Sequence, residues 1–365
     1  MKIVIGADTV PTELSEKMFI DGDARALFTD VLDVLKSSDR AIVNLECALT
    51  DSDGAIKKFG PNLKASPKCV NGLLNAGITD CALANNHVFD FGEKGLTDTM
   101  QALKDAKIGY FGVGQDCSDS RKPYFIEQDG KKIAIVNVCE HEYTYAIEDR
   151  MGANPFDPFI TMQDIRDAKA KADFLIVLYH GGKEHCRYPS PRLINACREM
   201  VNNGADAVLT QHSHCIGCYE NFKGAHILYG QGNFHFAIDD KDEMWKTCLL
   251  VEFSISDKME IKFYPIVCNG YLLSIAKGDL AVKLMQEFEK RNAQMLNGEW
   301  KKGWNDFCQS VKMRYEGVIS RFGDVNSEIP EEKRREFFAH YLDCEAHTDV
   351  WRELLPTWNA TNRTE

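Results

Sequence analysis

The stretch DFLIVLY, residues 173–179, decides the fold, and His180-Gly181-Gly182 follows it directly. Its apolar run has no polar alternation, which predicts a strand buried on both faces, as in the sheet of an α/β protein. A helix is predicted next at residues 191–202, and then a strand at 207–210. The order strand, helix, strand is that of a βαβ unit and predicts a largely parallel sheet with helices on its faces.

The same alternation extends over the first 240 residues. Strands are also predicted at 3–7, 40–45 and 81–84, and helices at 24–35, 67–76 and 95–105. Two hairpins are predicted, residues 124–126 with 132–138 around Asp129-Gly130, and 248–255 with 259–266 around Ser256-Asp257. Together these elements predict a mixed α/β sandwich.

Five polar clusters follow or interrupt these apolar runs, most of them where a predicted strand ends. They are Asp8, Glu46, Asn86-His87, His180 and His212-Ser213-His214. Ligands bind beyond the carboxyl ends of the strands in open α/β sheets, so we expect these side chains to converge there. Carboxylate and amide oxygens combined with imidazole suit borderline divalent ions, which predicts a metal site and metal-assisted hydrolysis.

Each cluster has an ordinary structural reading when taken alone. Asp8 could cap a helix, and Glu46 could be a solvated loop acid. Asn86 could shape a turn, with Asp90 capping the next helix. His180 could be a hydrogen-bonded core residue, and a surface His-x-His such as 212–214 is not rare. Their occurrence at successive strand ends favours the metal site.

Composition limits the classes of function. The chain has 365 residues, 44% of them hydrophobic and 27% charged, which is typical of a globular protein. A net charge of -12 disfavours non-specific binding to nucleic acid or to an anionic membrane. Thirteen cysteines, an odd number scattered along the chain, favour free thiols. No apolar run long enough to span a membrane and no signal sequence is evident, so we expect a cytoplasmic protein.

The character of the sequence changes near residue 275. Residues 280–291, 307–321 and 331–342 are charged and amphipathic, which predicts helices, and Trp300, Trp304, Trp351 and Trp358 lie nearby. We therefore divide the chain into a domain at 1–274 and an α-helical extension at 275–365. The extension is interpreted as a structural cap, with a lid and a surface for homo-oligomer formation as alternatives.

Five stretches occur in a fixed order: NLECALT, LANNHVFDFGEKGLTDTM, LYHGGKEH, GADAVLTQHSHCIGCYE and ILYGQGNFHF. Over about residues 2–240 they resemble the CapA/PgsA family of poly-γ-glutamate capsule biosynthesis proteins, a branch of the calcineurin-like metallophosphoesterase superfamily. The family usually opens with Gly-Asp where this chain has Gly6-Ala7-Asp8, and Gln211 stands where it often has His.

The resemblance implies a four-layer αββα sandwich with two divalent metal ions, Mn, Fe or Zn, at the strand ends. Asp8 and His214 would hold one ion, Asn86, His180 and His212 the other, and Glu46 would bridge them. A hydroxide shared by the ions would attack a phosphoester. His87 would protonate the leaving group, and Asp90 would orient His87.

Further residues are candidates for contacting an anionic small-molecule or polymer substrate. Glu184, His185 and Arg187 follow His180, and Arg187 would clamp an anion, although a solvated loop explains these residues equally well. Asn233 lies in a Gly-Asn-Phe turn that resembles the family's and would shape the floor of the site. A non-catalytic protein that binds an anionic polymer through the same metals is the alternative function.

Overall fold

Two large sheets form the centre of the molecule in the computed structural model, which describes residues 1–239, 241–324 and 326–355. The strands are β1 (Lys2–Val10), β2 (Arg40–Leu45), β3 (Ala48–Leu49), β4 (Lys64–Ala65), β5 (Asp80–Ala82), β6 (Gly109–Phe111), β7 (Val113–Gly114), β8 (Tyr124–Gln128), β9 (Lys131–Cys139), β10 (Gly152–Ala153), β11 (Phe174–His180), β12 (Ala207–Gln211), β13 (Ile216–Phe222), β14 (Ala225–Gln231), β15 (Asn233–Phe236), β16 (Thr247–Ile255), β17 (Met259–Asn269) and β18 (Leu272–Ile275).

The helices precede, follow and cover these strands. They are α1 (Glu16–Asp21), α2 (Ala24–Phe28), α3 (Val31–Lys36), α4 (Val70–Ala76), α5 (Gly92–Asp105), α6 (Cys117–Ser120), α7 (Ile160–Lys169), α8 (Pro191–Asn202), α9 (Gly278–Asn297), α10 (Trp300–Gly323), α11 (Glu331–Asp343) and α12 (Glu345–Leu354), with a 3₁₀ turn at Pro67–Cys69.

The first large sheet has the strand order β18-β17-β16-β1-β2-β5-β6, with β15 paired to β1, and the second has the order β13-β14-β12-β11-β9-β8. β1, β2, β5 and β6 are parallel, as are β9, β11, β12 and β14. Hairpins add the antiparallel strands at the edges. Because the inner strands run parallel, their carboxyl ends meet at one edge of each sheet.

The period of two along each strand explains how the layers pack. Along β11, Ile176 and Leu178 face the other sheet, whereas Leu175 and Val177 face the helices outside. Ile3 and Ile5 of β1 join the same inner cluster from the opposite sheet. The apolar sides of α1–α5 cover the outer face of the first sheet, and α7 and α8 cover that of the second. The predicted four-layer αββα arrangement is therefore confirmed.

Most predicted elements occur in the structure, with some corrected bounds. The strand at 40–45 and the helix at 191–202 have the predicted limits, and both hairpins form. The single helix predicted at 24–35 is wrong, because α2 and α3 are separated at Thr29, whose φ is 35°. β5 begins at Asp80 and ends at Ala82 rather than covering 81–84. β1 continues past Asp8 to Val10, so Asp8 lies inside the strand.

The C-terminal helices form a separate apolar cluster on the sandwich. Its buried members include Trp304, Tyr315 and Tyr341, and Cys186 from the loop after β11 belongs to the same cluster. The three predicted helices of this region are present and longer than predicted, and α12 was not predicted. Trp358 lies outside the described residues. None of the described helices has the length and apolar character that crossing a membrane requires.

Candidate metal centre

Three side chains converge on the ring of His180, the last residue of β11. Its Nε2 atom lies 2.9 Å from Asn86 Oδ1, 3.2 Å from His212 Nδ1 and 3.3 Å from Glu46 Oε1. Ligand atoms bound to one divalent ion at about 2.0–2.2 Å are themselves roughly 3 to 3.5 Å apart. The spacing of these donors therefore fits one ion.

Glu46 gives the clearest indication that this centre holds a cation. Its side chain is fully buried, yet neither carboxylate oxygen has a hydrogen-bond partner among the residues that the structure describes. The contact with His180 Nε2 at 3.3 Å is close enough for charge attraction but does not have hydrogen-bond geometry. Burying a carboxylate without a partner is costly, so such groups are usually paired or bound to a metal. The residues present fit a divalent ion.

A second group of donors consists of Asp8, His214 and again Glu46. Asp8 Oδ2 lies 3.3 Å from His214 Nδ1. Asn233 Nδ2 donates to the Trp245 carbonyl, so its Oδ1 faces His214 Nδ1, 2.8 Å away. Nδ1 must then carry the proton of the neutral ring, which leaves Nε2 unprotonated and able to act as a ligand. Glu46 therefore belongs to both groups of donors.

Local backbone geometry brings these donors together. The pairing of β1 with β2 shifts register between Ile5 and Asp8, and its pairing with β15 shifts between Asp8 and Thr9. Asp8 is thereby set beside Asn233 of β15. His212 and His214 have φ values of 76° and 53°, a left-handed conformation that is rare for residues with a side chain. Such strained residues cluster at functional sites, where the surrounding structure holds them.

Next to the donors, His87 is held by a charged pair. Its Nδ1 atom lies 2.7 Å from Asp90 Oδ2 and 3.2 Å from Lys58 Nζ, and Lys58 also donates to Asp90. The side chains of Asp90 and Lys58 are 0% and 3% exposed, so this pair is shielded from water. Nε2 of His87 makes no hydrogen bond within the described part of the chain. One ring nitrogen is therefore anchored while the other remains available to a substrate.

The carboxylates of the centre keep their charge because the imidazoles oppose the effect of burial. Burial alone would raise the pKa of Asp8, but His214 and His180 hold it below its usual value. Burial would likewise raise the pKa of Glu142, which His212 keeps well below normal. Burial would lower the pKa of His212, but Glu142 raises it to about 10. The carboxylates of Asp8 and Glu142 thus keep their negative charge beside the imidazoles of the centre.

With the geometry established, comparison with known proteins identifies the family. A profile of the family described as "Bacterial capsule synthesis protein PGA_cap" matches residues 3–238. The chain belongs to this family. The family resemblance seen in the sequence is therefore confirmed, and the matched residues include all six predicted metal ligands.

Two curated relatives of this PGA_cap protein come from Bacillus species. The capsule biosynthesis protein CapA of Bacillus anthracis is 30% identical over 243 residues, which cover 63% of this chain and 58% of that protein. The PGA biosynthesis protein CapA of Bacillus subtilis (strain 168) is 29% identical over 227 residues, which cover 60% and 59%. The chain thus matches less than two thirds of the length of these relatives.

A solved structure with a similar arrangement is a putative 5'-nucleotidase from Staphylococcus aureus in complex with alpha-ketoglutarate. It is 15% identical, has a TM-score of 0.47, and covers 79% of this chain and 58% of that chain. A similarity of this degree carries no argument about function.

The residues predicted to contact substrate have different surroundings. His185 is exposed, and its ring lies 6.3 Å from that of His214. The Glu184 side chain is 41% exposed and lies 3.4 Å from Lys183 Nζ. Arg187 is paired with Glu287 of α9 at 3.0 Å rather than with a metal donor. Asn233 orients His214, as described above. Substrate contact by these four residues stays a prediction.

Three contributors to the centre were missed in the sequence of this PGA_cap protein. Asn44 donates to Asp8 at 2.8 Å and lies 3.1 Å from His180 Nδ1. Glu142 accepts from Asn86 Nδ2 at 2.9 Å and lies 3.4 Å from His212 Nε2. Lys58 was the third. Asn44 of β2 stands two residues before Glu46, which follows the end of that strand directly. The period of two along a strand predicts both side chains on one face and could have revealed Asn44.

Proposed function

We propose that this PGA_cap protein is a metal-dependent hydrolase that cleaves a phosphoester in an anionic substrate. The observation that carries the proposal is the buried Glu46 carboxylate, which lacks a hydrogen-bond partner in the described structure and is common to two groups of donors. A site built only for stability would satisfy such a carboxylate with hydrogen bonds. A site that binds cations leaves it available.

The proposed ligand assignment follows the two donor groups. Asp8 and His214 hold one divalent ion, Asn86, His180 and His212 hold the other, and Glu46 is shared. Mixed oxygen and nitrogen donors suit Mn, Fe or Zn. When bound, two such ions activate water and neutralise charge on the attacking and leaving oxygens of an in-line displacement. Asn233 orients His214, because its Oδ1 accepts from Nδ1 of that ring. Asn44 donates to Asp8 and lies against the Nδ1 edge of His180.

In this proposal His87 handles the proton of the leaving group. Asp90 accepts from Nδ1 and fixes the ring, so that Nε2 faces the substrate and, when both ring nitrogens carry a proton, donates its proton to the departing oxygen. Lys58 neutralises Asp90 and fixes its orientation, because it donates to both Asp90 and the Asn86 carbonyl. Asp90 and Lys58 are therefore positioning residues, and His87 is the catalytic one.

The names of the relatives support a second candidate. The two Bacillus proteins are called capsule and PGA biosynthesis proteins, and this chain could bind an anionic polymer at the metals without cleaving it. The shielded arrangement of His87, Asp90 and Lys58 favours hydrolysis, since polymer binding alone does not need an anchored imidazole with one free nitrogen.

Purified protein of residues 1–365, reconstituted separately with Mn, Fe and Zn, should be tested on a panel of phosphomonoesters, phosphodiesters and γ-glutamyl amides. We expect metal-dependent cleavage of at least one phosphoester, abolished by chelator and restored by metal. Metal binding without cleavage of any compound, together with metal-dependent retention of poly-γ-glutamate, would support the polymer-binding alternative. Light scattering of the same samples tests whether the protein forms a homo-oligomer, the alternative to a structural cap.

A further inference from the structure

A cavity of about 410 Å³ lies between the loop at residues 58–60 and the C-terminal helices α10 and α11. Four cationic side chains line it, those of Lys58, Arg321, Lys333 and Arg334, against one carboxylate, that of Glu336. The whole chain carries a net charge of -12, so this local excess of positive charge runs against its overall composition. Its volume is in the range of sites that hold small ligands.

Two of the four cations have structural tasks. Lys58 is bound to Asp90 beside His87. Arg334 donates through Nη1 to the carbonyls of Arg321 and Phe322, and through Nε to that of Ile329, which ties the start of α11 to the end of α10.

The other two cations are available to a ligand. Arg321 and Lys333 are exposed, and neither lies within ion-pair distance of a carboxylate in the described ranges 1–239, 241–324 and 326–355. Exposed cations of an acidic protein commonly find carboxylates nearby, and α11 itself pairs Arg335 with Glu331. The cavity therefore presents two unpaired positive charges.

Contacts with the loop connect the cavity wall to the metal centre. Phe59 packs edge-on against Phe337 of α11, with ring centroids 4.6 Å apart, and its backbone N–H donates to Tyr143 Oη at 3.2 Å. The preceding residue, Lys58, reaches His87 Nδ1 at 3.2 Å. Lys58 thus lines the cavity and also contacts the proposed proton donor, which links the cavity wall to the metal centre.

We infer that this cavity binds an anionic group, a carboxylate or a phosphate, of the molecule processed at the metal centre. The identity of that molecule rests on the proposed function. The binding of an anion is inferred separately, from the charge and volume of the cavity itself. The helices that build it lie beyond the family match, which ends at residue 238. The extension would therefore add substrate recognition to a metal site that the matched region contains.

The test is calorimetric titration of the full chain at low ionic strength with inorganic phosphate and, separately, glutarate. Each titration is done once with the protein's metals and once with chelator. Arg321→Ala/Lys333→Ala should weaken binding of at least one probe by about tenfold or more in both conditions, because charge-assisted hydrogen bonds are lost. Lys290→Ala/Lys301→Ala removes two exposed cations of the same extension outside the cavity and should bind as wild type does.

The tighter probe shows whether phosphate or carboxylate is preferred. Arg321→Lys/Lys333→Arg should retain binding, since both charges remain. Equal affinities of wild type and Arg321→Ala/Lys333→Ala, or no binding of either probe, would overturn the inference. Failure of the proposed function would look different: the protein would hold no metal and cleave no phosphoester, while anion binding would still depend on Arg321 and Lys333 in the presence of chelator.

Discussion

Glu46→Gln should remove most of the stabilisation that metal gives to the folded protein. The substitution keeps the size of the side chain but removes the negative charge of the one donor that both groups share. An ion that binds only the folded state at a free concentration of 100 times its Kd stabilises it by about 2.7 kcal/mol. If the loss of this donor weakens binding by about 100-fold, the gain at the same metal concentration falls to about 0.4 kcal/mol.

The assay is urea unfolding of wild type and variant, each with chelator and with free metal at 100 times the wild-type Kd. Glu184→Gln is the matched control, because it makes the same chemical change on a carboxylate that is 41% exposed and belongs to neither donor group. It should show the full wild-type gain. A Glu46→Gln protein that metal stabilises as much as wild type would refute the assignment of Glu46 as the shared ligand.

Three further predictions follow from the same structure. His87→Ala should keep its metal but lower turnover by about 10²- to 10⁴-fold, whereas His212→Ala should lose metal as well; equal metal loss in both would make His87 a ligand. Burial raises the pKa of Asp349 to about 6, and the nearby Glu140 carboxylate adds to the rise, although Arg192 opposes it. A raised pKa means that the folded protein binds this proton more tightly than the unfolded chain does. The free energy of unfolding should therefore fall by up to about 3 kcal/mol between about pH 4 and pH 7. Urea denaturation should show that Asp349→Asn, which cannot ionise, becomes more stable relative to wild type over that range. We propose that residues 1–274 form the metal-binding domain, so a chain ending at 274 should retain metal by elemental analysis. It should also bind more of a hydrophobic dye, because the apolar partners of Cys186 and Tyr188 in the extension are removed. Loss of metal would show that the extension is required for the centre.

The sequence predicted those features that depend on periodicity along one segment. The buried strand β11 and its neighbours followed from unbroken apolar runs, and the parallel order then placed Glu46, Asn86 and His180 at one edge. The break at Thr29 was not predicted, because a continuous apolar pattern there does not reveal a change in backbone direction. α12 was missed for a similar reason, since it is short and follows α11 almost directly.

The missed site residues depend on tertiary contacts. Lys58 comes from a loop whose sequence has no periodic pattern, and its contact with His87 bridges 29 positions of the chain. Glu142 follows β9 by three residues and could have been counted among the strand-end acids, but its contact with His212 becomes evident only when the two loops meet. Arg187 was predicted to clamp an anion, yet α9 supplies Glu287 as its partner, and no local pattern shows that pairing.

Anomalous diffraction from crystals of the full chain grown with Mn or Zn tests the central claim most directly. The proposal predicts two anomalous peaks roughly 3.5 to 4 Å apart, with Glu46 between them, Asp8 and His214 at one, and Asn86, His180 and His212 at the other. No peak within bonding distance of Glu46, or a single peak that excludes His214 and Asp8, would contradict a two-metal centre.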